Sequence, residues 1–149
     1  MRVTTKGRYA LRAITNLALT NSDKPIPIKK IAGDEEISPE FLEQIFFRLK
    51  KSGIVSSVRG PGGGFMLDRA PEDISVKNIF DAVGEGLEIT PCTGEDECPR
   101  AATCLAYDVW QEASGLFVNY FEGLTLRRVM DMNKSPLPDT MMSGKESSV

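Results

Sequence analysis

The sequence predicts a mainly α-helical protein with one small β-hairpin and a long helix in its second half. Apolar residues recur at three- and four-residue steps between positions 10 and 49, and the step changes to two on either side of a glycine-rich run at 60–64. A single apolar stripe then runs through 105–124. With 149 residues and 41% hydrophobic content, the chain can bury one compact core, so two large domains are not expected.

Three helices are predicted in the first third of the chain. The first has Thr4 or Thr5 as its N-cap, and the second spans about 28–35. The third begins at Ser38, a serine cap that is followed by a proline at the first helical position, and Gly53 ends it. Its apolar residues share one face and are expected to be buried, whereas its charged residues lie on the opposite face.

Two short strands around the glycine-rich run predict a hairpin after the third helix. The run lacks the Gly-Lys-Ser/Thr ending of a nucleotide-binding loop, so a turn between strands is the better interpretation. Three helices followed by a hairpin form a winged helix-turn-helix. In that fold the third helix enters the major groove of DNA and the hairpin, or wing, lies along the backbone or minor groove.

The second half is predicted to carry a connecting helix, a loop, a long helix and a tail. Ser75 begins the connecting helix, and Thr125 caps a last short helix that ends at Met132. We expect a DNA-binding domain over 1–83, a loop over 84–104, a dimerisation helix with the following short helix over 105–132, and a disordered tail over 133–149. The apolar stripe predicts a homodimer, because it needs a partner surface.

Charge is distributed unevenly along the chain. Residues 1–69 carry twelve Lys and Arg against seven Asp and Glu, and residues 70–149 carry six against fourteen, which gives +5 and -8 within a net charge of -3. The basic part is suited to a phosphate backbone, and the acidic part should face away from it. Double-stranded DNA, with a pseudo-palindromic site for the two subunits, is therefore the expected partner.

The expected location is the cytoplasm. No segment approaches the roughly 20 apolar residues of a membrane span, and the N-terminus has no apolar signal core, so no membrane association is expected. Three cysteines, an odd number, fit poorly with a secreted disulfide framework.

Candidate DNA contacts come from the basic part of the chain. Gln44 can pair with adenine and Glu43 can accept from the amino group of cytosine, whereas Phe47 is expected to pack against the wing rather than to touch a thymine methyl. The cationic candidates could also form only a solvated basic face. The full set is Arg2, Lys6, Arg8, Ser38, Glu40, Glu43, Gln44, Lys51, Arg59, Gly60, Gly62 and Gly63.

Cys92, Cys98 and Cys104 are separated by five residues each, so their thiolates can converge on one centre. Sets of thiolates select zinc, copper(I) or iron-sulfur clusters, and structural cysteines without a metal remain an alternative. A thiol oxidoreductase would need a Cys-x-x-Cys pair or a polarising base, and neither is present, so the chain is not expected to be an enzyme.

Several segments resemble the IscR-type family of iron-sulfur cluster regulators. They are the opening MRVTTKGRYA (1–10), FLEQ (41–44), VSSVRGPGGGF (55–65), and the three cysteines with Leu105 and Trp110, within a match over about 1–132. The resemblance implies a homodimeric repressor or activator that holds its cluster between the DNA-binding domain and the dimerisation helix. It also implies base contacts from Glu43 and Gln44 and a minor-groove contact from Arg59.

One residue departs from the family pattern. The family has a histidine three residues after the last cysteine as the fourth ligand of a [2Fe-2S] cluster, whereas this chain has Tyr107 there and no histidine at all. The fourth ligand is left open among Glu95, Glu97, Tyr107, Asp108, an external thiol and a group of the other subunit. A [2Fe-2S] cluster is favoured, and a [4Fe-4S] cluster, closer to related nitric-oxide responsive regulators, is the alternative.

Overall fold

The structure, a computed structural model, describes residues 3–20, 23–94 and 98–134. Six α-helices and one antiparallel hairpin make up the described chain. In order they are α1 (Thr5–Thr20), α2 (Ile28–Glu35), α3 (Pro39–Lys51), β1 (Val55–Val58), β2 (Gly64–Leu67), α4 (Val76–Val83), α5 (Tyr107–Gly123) and α6 (Leu126–Lys134). The predicted fold class, a winged helix-turn-helix with an additional long helix, is confirmed.

The third helix and the wing form where the sequence predicts them. The Ser38 hydroxyl caps α3 by accepting from the backbone N–H of Phe41 at 3.2 Å. In the hairpin, β1 pairs antiparallel with β2, with Val58 opposite Gly64. Gly60 and Gly62 adopt φ angles of +93° and +75° in the turn, a left-handed backbone that favours glycine.

Helices α1 to α4, the hairpin and α6 share one apolar core. Phe46 of α3 is fully buried and meets Phe65 of the hairpin edge to face at 4.9 Å. Leu126 and Met130 place α6 in the same core as α1. A smaller cluster around Phe80 joins α4 to α5, where Phe80 and Phe121 lie 5.3 Å apart. The winged-helix domain therefore carries α5 on the surface of α4.

Two boundaries differ from the sequence prediction. Leu105, expected to open the long helix, is fully exposed in the turn before Tyr107, where α5 begins. Helix α6 continues through Asn133 to Lys134, two residues beyond the predicted end, because Met130 anchors the helix in the core and the Asn133 side chain donates to the Val129 carbonyl at 2.8 Å. The rest of the expected tail, 135–149, lies outside the described residues.

Candidate DNA interface and cysteine loop

The outer face of α3 forms the floor of a shallow depression of about 900 Å³. Leu42, Ile45 and Leu49 point into the core, so the intervening positions face outward, as their spacing predicts. The depression brings together several of the predicted DNA contacts with Arg48, Ser52 and Ala82, which are not among the predicted contacts. Its lining is Glu40, Glu43, Gln44, Phe47, Arg48, Lys51, Ser52 and Ala82.

The wing is tied to the end of α3. The Lys50 ammonium donates to the Ser57 hydroxyl at 2.7 Å, and the Arg69 guanidinium donates to the Gly53 carbonyl at 3.3 Å. Beyond these bonds Arg59 and Gly60 are exposed at the turn. The structure thus fixes the wing against α3 and leaves its tip free for an extended partner.

Lys6 of α1 reaches the edge of this surface. A side chain at position 84, at the C-terminus of α4, would lie 3.9 Å from Lys6 Nζ and 3.5 Å from Arg48 Nη1, so both cationic groups approach the same point. Cations at a helix C-terminus are favourable for the helix dipole. Arg8 is exposed and donates to the Thr5 hydroxyl at 3.2 Å. Arg2 lies outside the described residues.

Lys77 contributes little net charge to this edge. Its ammonium lies 2.7 Å from the Asp81 carboxylate one helical turn away on α4. That hydrogen bond raises the pKa of Lys77, so the lysine remains charged and is compensated by its partner.

Phe47 corrects one sequence prediction. The ring was expected to pack against the wing, but it is 65% exposed on the outer face of α3. The Lys51 ammonium lies 5.9 Å from the ring centroid, at the outer limit of a cation–π contact. An exposed aromatic ring among the charged residues of this face is available to an apolar group of a ligand.

The cysteine loop follows α4 and ends at α5. Cys92 lies in the 3-10 turn Pro91–Thr93, which packs against α5, and Cys98 begins a series of turns in which the Cys104 N–H donates to the Arg100 carbonyl at 2.8 Å. All three thiols are free of disulfides, and Cys104 is exposed. The Tyr107 N–H donates to the Cys104 carbonyl at 3.4 Å, which places the first turn of α5 beside the last cysteine.

The donor set suits a soft metal centre, but the described loop does not assemble one. Three unpaired thiols within one loop are the ligand type that iron-sulfur clusters require. In the described ranges, no three His, Cys, Asp or Glu side chains are close enough together to hold a metal ion. Glu95 and Glu97, two of the suggested fourth ligands, fall outside those ranges, and Asp108 is exposed in the first turn of α5.

Helix α5 has an apolar face without a partner in the single chain. Ser114, Val118 and Phe121 point toward α4 and its surroundings. On the next face of the helix, large apolar side chains remain between 38% and 67% exposed. They are Val109, Trp110, Leu116, Phe117 and Tyr120.

In the part of the chain that the structure describes, no helix has the length and apolar character needed to cross a membrane.

These features define a winged-helix DNA-binding regulator with a cysteine-containing loop. The chain belongs to the Rrf2 family, described as iron-dependent transcriptional regulators, whose family model matches residues 3–132. It is 40% identical over 133 residues to the HTH-type transcriptional regulator IscR of Photobacterium profundum, covering 89% of this chain and 77% of that protein. It is 37% identical over 134 residues to the same-named protein of Aliivibrio salmonicida, with 90% and 80% covered.

Solved structures agree with this assignment. CymR of B. subtilis, named a global cysteine regulator, superposes with a TM-score of 0.73 at 26% identity, covering 89% of this chain and 98% of CymR. IscR of T. potens gives 0.71 at 26% identity, with 95% and 96% covered. The oxidized form of Staphylococcus aureus CymR gives 0.68 at 29%, with 87% and 96% covered. The chain is thus a DNA-binding transcriptional regulator of the Rrf2/IscR type and not an enzyme.

Proposed function

We propose that this regulator is a homodimer that reads a pseudo-palindromic promoter and senses the state of an iron-sulfur cluster held by Cys92, Cys98 and Cys104. The observation that carries the sensing proposal is the set of three unpaired thiols in one loop between the DNA-binding domain and α5. The description of the family as iron-dependent and the name IscR of its relatives support the same interpretation. Cytoplasmic location is part of the proposal, because such thiols stay reduced there.

Base reading is assigned to the exposed middle of α3. Gln44 can form a bidentate contact with adenine, and Glu43 can accept from cytosine and repel the acceptor-rich edge of guanine. Ser38 and Glu40 lie at the N-terminus of α3, the end of a recognition helix that enters the groove. These residues would determine which sequence is bound.

Phosphate contacts are assigned to the cations around α3. Lys6 and Lys51 lie beside the α3 face, and Arg59 extends the wing. Arg8 is exposed on α1, where it lines a separate depression with Arg12 and Glu35, and it is part of the same proposal. Arg2 belongs to the same proposal. The wing glycines Gly60, Gly62 and Gly63 have no side chain, so the DNA backbone can approach their amide groups closely.

The apolar face of α5 is assigned to the dimer. A two-fold axis that passes through this face would pack the α5 face of one subunit against the same face of a second copy. Dimerisation fixes the distance between the two α3 helices, and this distance sets the spacing of half-sites in the promoter.

The three cysteines would supply thiolate ligands, and the fourth position is open because Tyr107 replaces the family histidine. A bound cluster would supply one-electron redox and ligand-exchange chemistry. A [2Fe-2S] cluster is favoured, with [4Fe-4S] as the alternative. The chain's own contribution is to connect this loop to α4 on one side and to α5 on the other.

Anaerobic purification tests the sensing proposal. We expect a brown protein with visible absorbance, stoichiometric iron and acid-labile sulfide, and loss of all three after Cys→Ala replacement at any of the three positions. Asp108→Ala, in the adjoining first turn of α5, tests one candidate fourth ligand, and retained colour would exclude Asp108 from that role. A triple cysteine variant that keeps its iron would refute the assignment of the site.

A second candidate is thiol-based sensing without iron. The observation in its favour is that Cys104 is exposed and the described part of the loop does not gather three ligands. The similar S. aureus CymR has been solved in an oxidized form. A colourless protein with zinc or no metal, whose DNA affinity responds to thiol oxidation, would support this candidate.

A further inference from the structure

Glu85 is a buried carboxylate that has no part in the DNA contacts, the dimer face or the cysteine site proposed above. It follows Gly84, the C-cap of α4, and only 6% of the residue is exposed. Glutamate is rarely so buried unless its oxygens accept hydrogen bonds. Here Oε1 accepts from the backbone N–H of Thr4 at 3.0 Å, and Oε2 accepts from the Thr4 hydroxyl. The carboxylate also lies at the N-terminus of α1, where the helix dipole favours an anion.

Gly7 leaves the space that this carboxylate occupies. A Cβ atom at position 7 would lie 2.5 Å from Glu85 Oε2 and 2.9 Å from its Cδ, well inside van der Waals contact. Gly7 lies within α1, where glycine destabilises the helix relative to alanine. Its backbone is not left-handed. The close approach of Glu85 therefore accounts for this glycine, whereas backbone conformation does not.

The contact holds the first turn of α1 beside the recognition helix. Lys6 lies in that turn, between Thr4 and Gly7, and its ammonium reaches Gly84 near the Arg48 guanidinium. Arg48 in turn lines the α3 depression. Lys6 can extend the cationic edge of α3 only while the first turn of α1 keeps this position.

We propose that Glu85 is a positioning residue for DNA binding: its carboxylate fixes the first turn of α1 so that Lys6 adds a phosphate contact next to Arg48. The inference rests on the phosphate role proposed above for Lys6. Glu85 also opens the segment that reaches Cys92 seven residues later, so the cysteine loop is attached to the residue that holds this cation in place.

The direction in which DNA affinity changes when Glu85 is replaced separates a positioning role from simple electrostatic repulsion. Removing a negative charge near DNA should by itself tighten binding, because phosphate repulsion falls. Loss of positioning should instead weaken binding and lower the salt dependence, because one phosphate contact disappears. Glu88→Gln is the matched control, since it removes a charge from an exposed position of the same segment.

The test measures affinity of the full chain for a DNA duplex of mixed sequence across a salt series, with thermal unfolding of each variant as the control for folding. We expect Glu85→Ala and Lys6→Ala each to weaken binding about three- to tenfold and to reduce the slope of log K against log salt by about 0.9. The double variant should bind no more weakly than Lys6→Ala alone, and Glu88→Gln should bind as tightly as the natural chain or more tightly. Glu85→Gln, which keeps the side-chain shape, should also weaken binding. It replaces Glu85→Ala in the test if that variant does not fold.

Three different outcomes would overturn the proposal. Unchanged affinity and slope in a folded Glu85→Ala or Glu85→Gln protein, with a clear loss in Lys6→Ala, would reject positioning and leave the phosphate role of Lys6 intact. No loss in Lys6→Ala would reject both roles. Additive losses in the double variant would mean that Glu85 affects binding by a route other than Lys6 and would also reject the proposal.

Discussion

Replacing Leu116 with Asp should break the dimer that we assign to α5. Leu116 is 67% exposed in the single chain, the largest exposed fraction among the large apolar side chains of this α5 face. Fully burying a leucine stabilises by about 1.5–3 kcal/mol, so two thirds of that, about 1–2 kcal/mol, is available from each subunit. A two-fold interface counts the residue twice, about 2–4 kcal/mol, which corresponds to a dimer dissociation constant about 30- to 700-fold higher.

The assay is sedimentation velocity over a concentration series, with Gln111→Asp as the control. Gln111 is exposed on the same helix but away from the apolar face, so it receives the same charge without losing interface area. We expect Leu116→Asp to sediment as a folded monomer at concentrations where Gln111→Asp is dimeric. Equal dissociation constants for the two variants would refute the role of this face.

Four further substitutions test the DNA surface and the loop. Arg59→Ala should weaken binding to all DNA sequences and lower the slope of log K against log salt by about 0.9, because a phosphate contact is lost. Glu43→Ala should instead relax the base preference measured in a library of sites. The same phenotype for both variants would contradict the division between phosphate and base contacts. Phe47→Ala should lose affinity for a selected site with thymine but not for the same site with deoxyuridine, which lacks only the methyl group; equal losses on both would exclude a methyl contact. Tyr107→His should lengthen the lifetime of visible absorbance in air, and an unchanged decay rate would show that position 107 does not supply a ligand.

Much of the fold could be predicted because its signals are local. The serine cap of α3 and the change of apolar spacing at the wing each act within a few residues, and both elements form as expected. The exposed face of α3 follows from the same periodicity. The start of α5 was less predictable, because Leu105 fits the apolar pattern but lies in a turn that the preceding loop imposes.

Contacts between distant segments could not be predicted in this way. Thr4 and Glu85 are 81 residues apart, and no local pattern connects them. Arg48 lay on the predicted outer face of α3, yet its proximity to Lys6 depends on how α1 and α4 pack. The exposure of Phe47 likewise depends on where the wing turns. Sequence periodicity assigns a residue to a face, but tertiary packing decides what that face meets.

The loop cysteines show the same limit for function. Their spacing allows convergence on one centre, and the family supports an iron-dependent role. Neither the spacing nor the described part of the loop fixes the fourth ligand. The loop follows α4, whose C-terminus lies beside Lys6 and Arg48, and we propose that this attachment couples the loop to DNA binding.

The most direct test of the central claim compares the DNA affinity of one preparation before and after its cluster is removed. Sensing requires different DNA affinities in the two states, and a coupling of about 1–3 kcal/mol corresponds to a change of about 5- to 150-fold. The measurement is fluorescence anisotropy under anaerobic conditions on a site selected by the protein itself, with the triple cysteine variant as the reference for the cluster-free state. We predict that affinity for this site, or its preference over other sites, changes by at least about fivefold on cluster removal and then equals that of the variant. Identical affinities and preferences in both states would contradict the account.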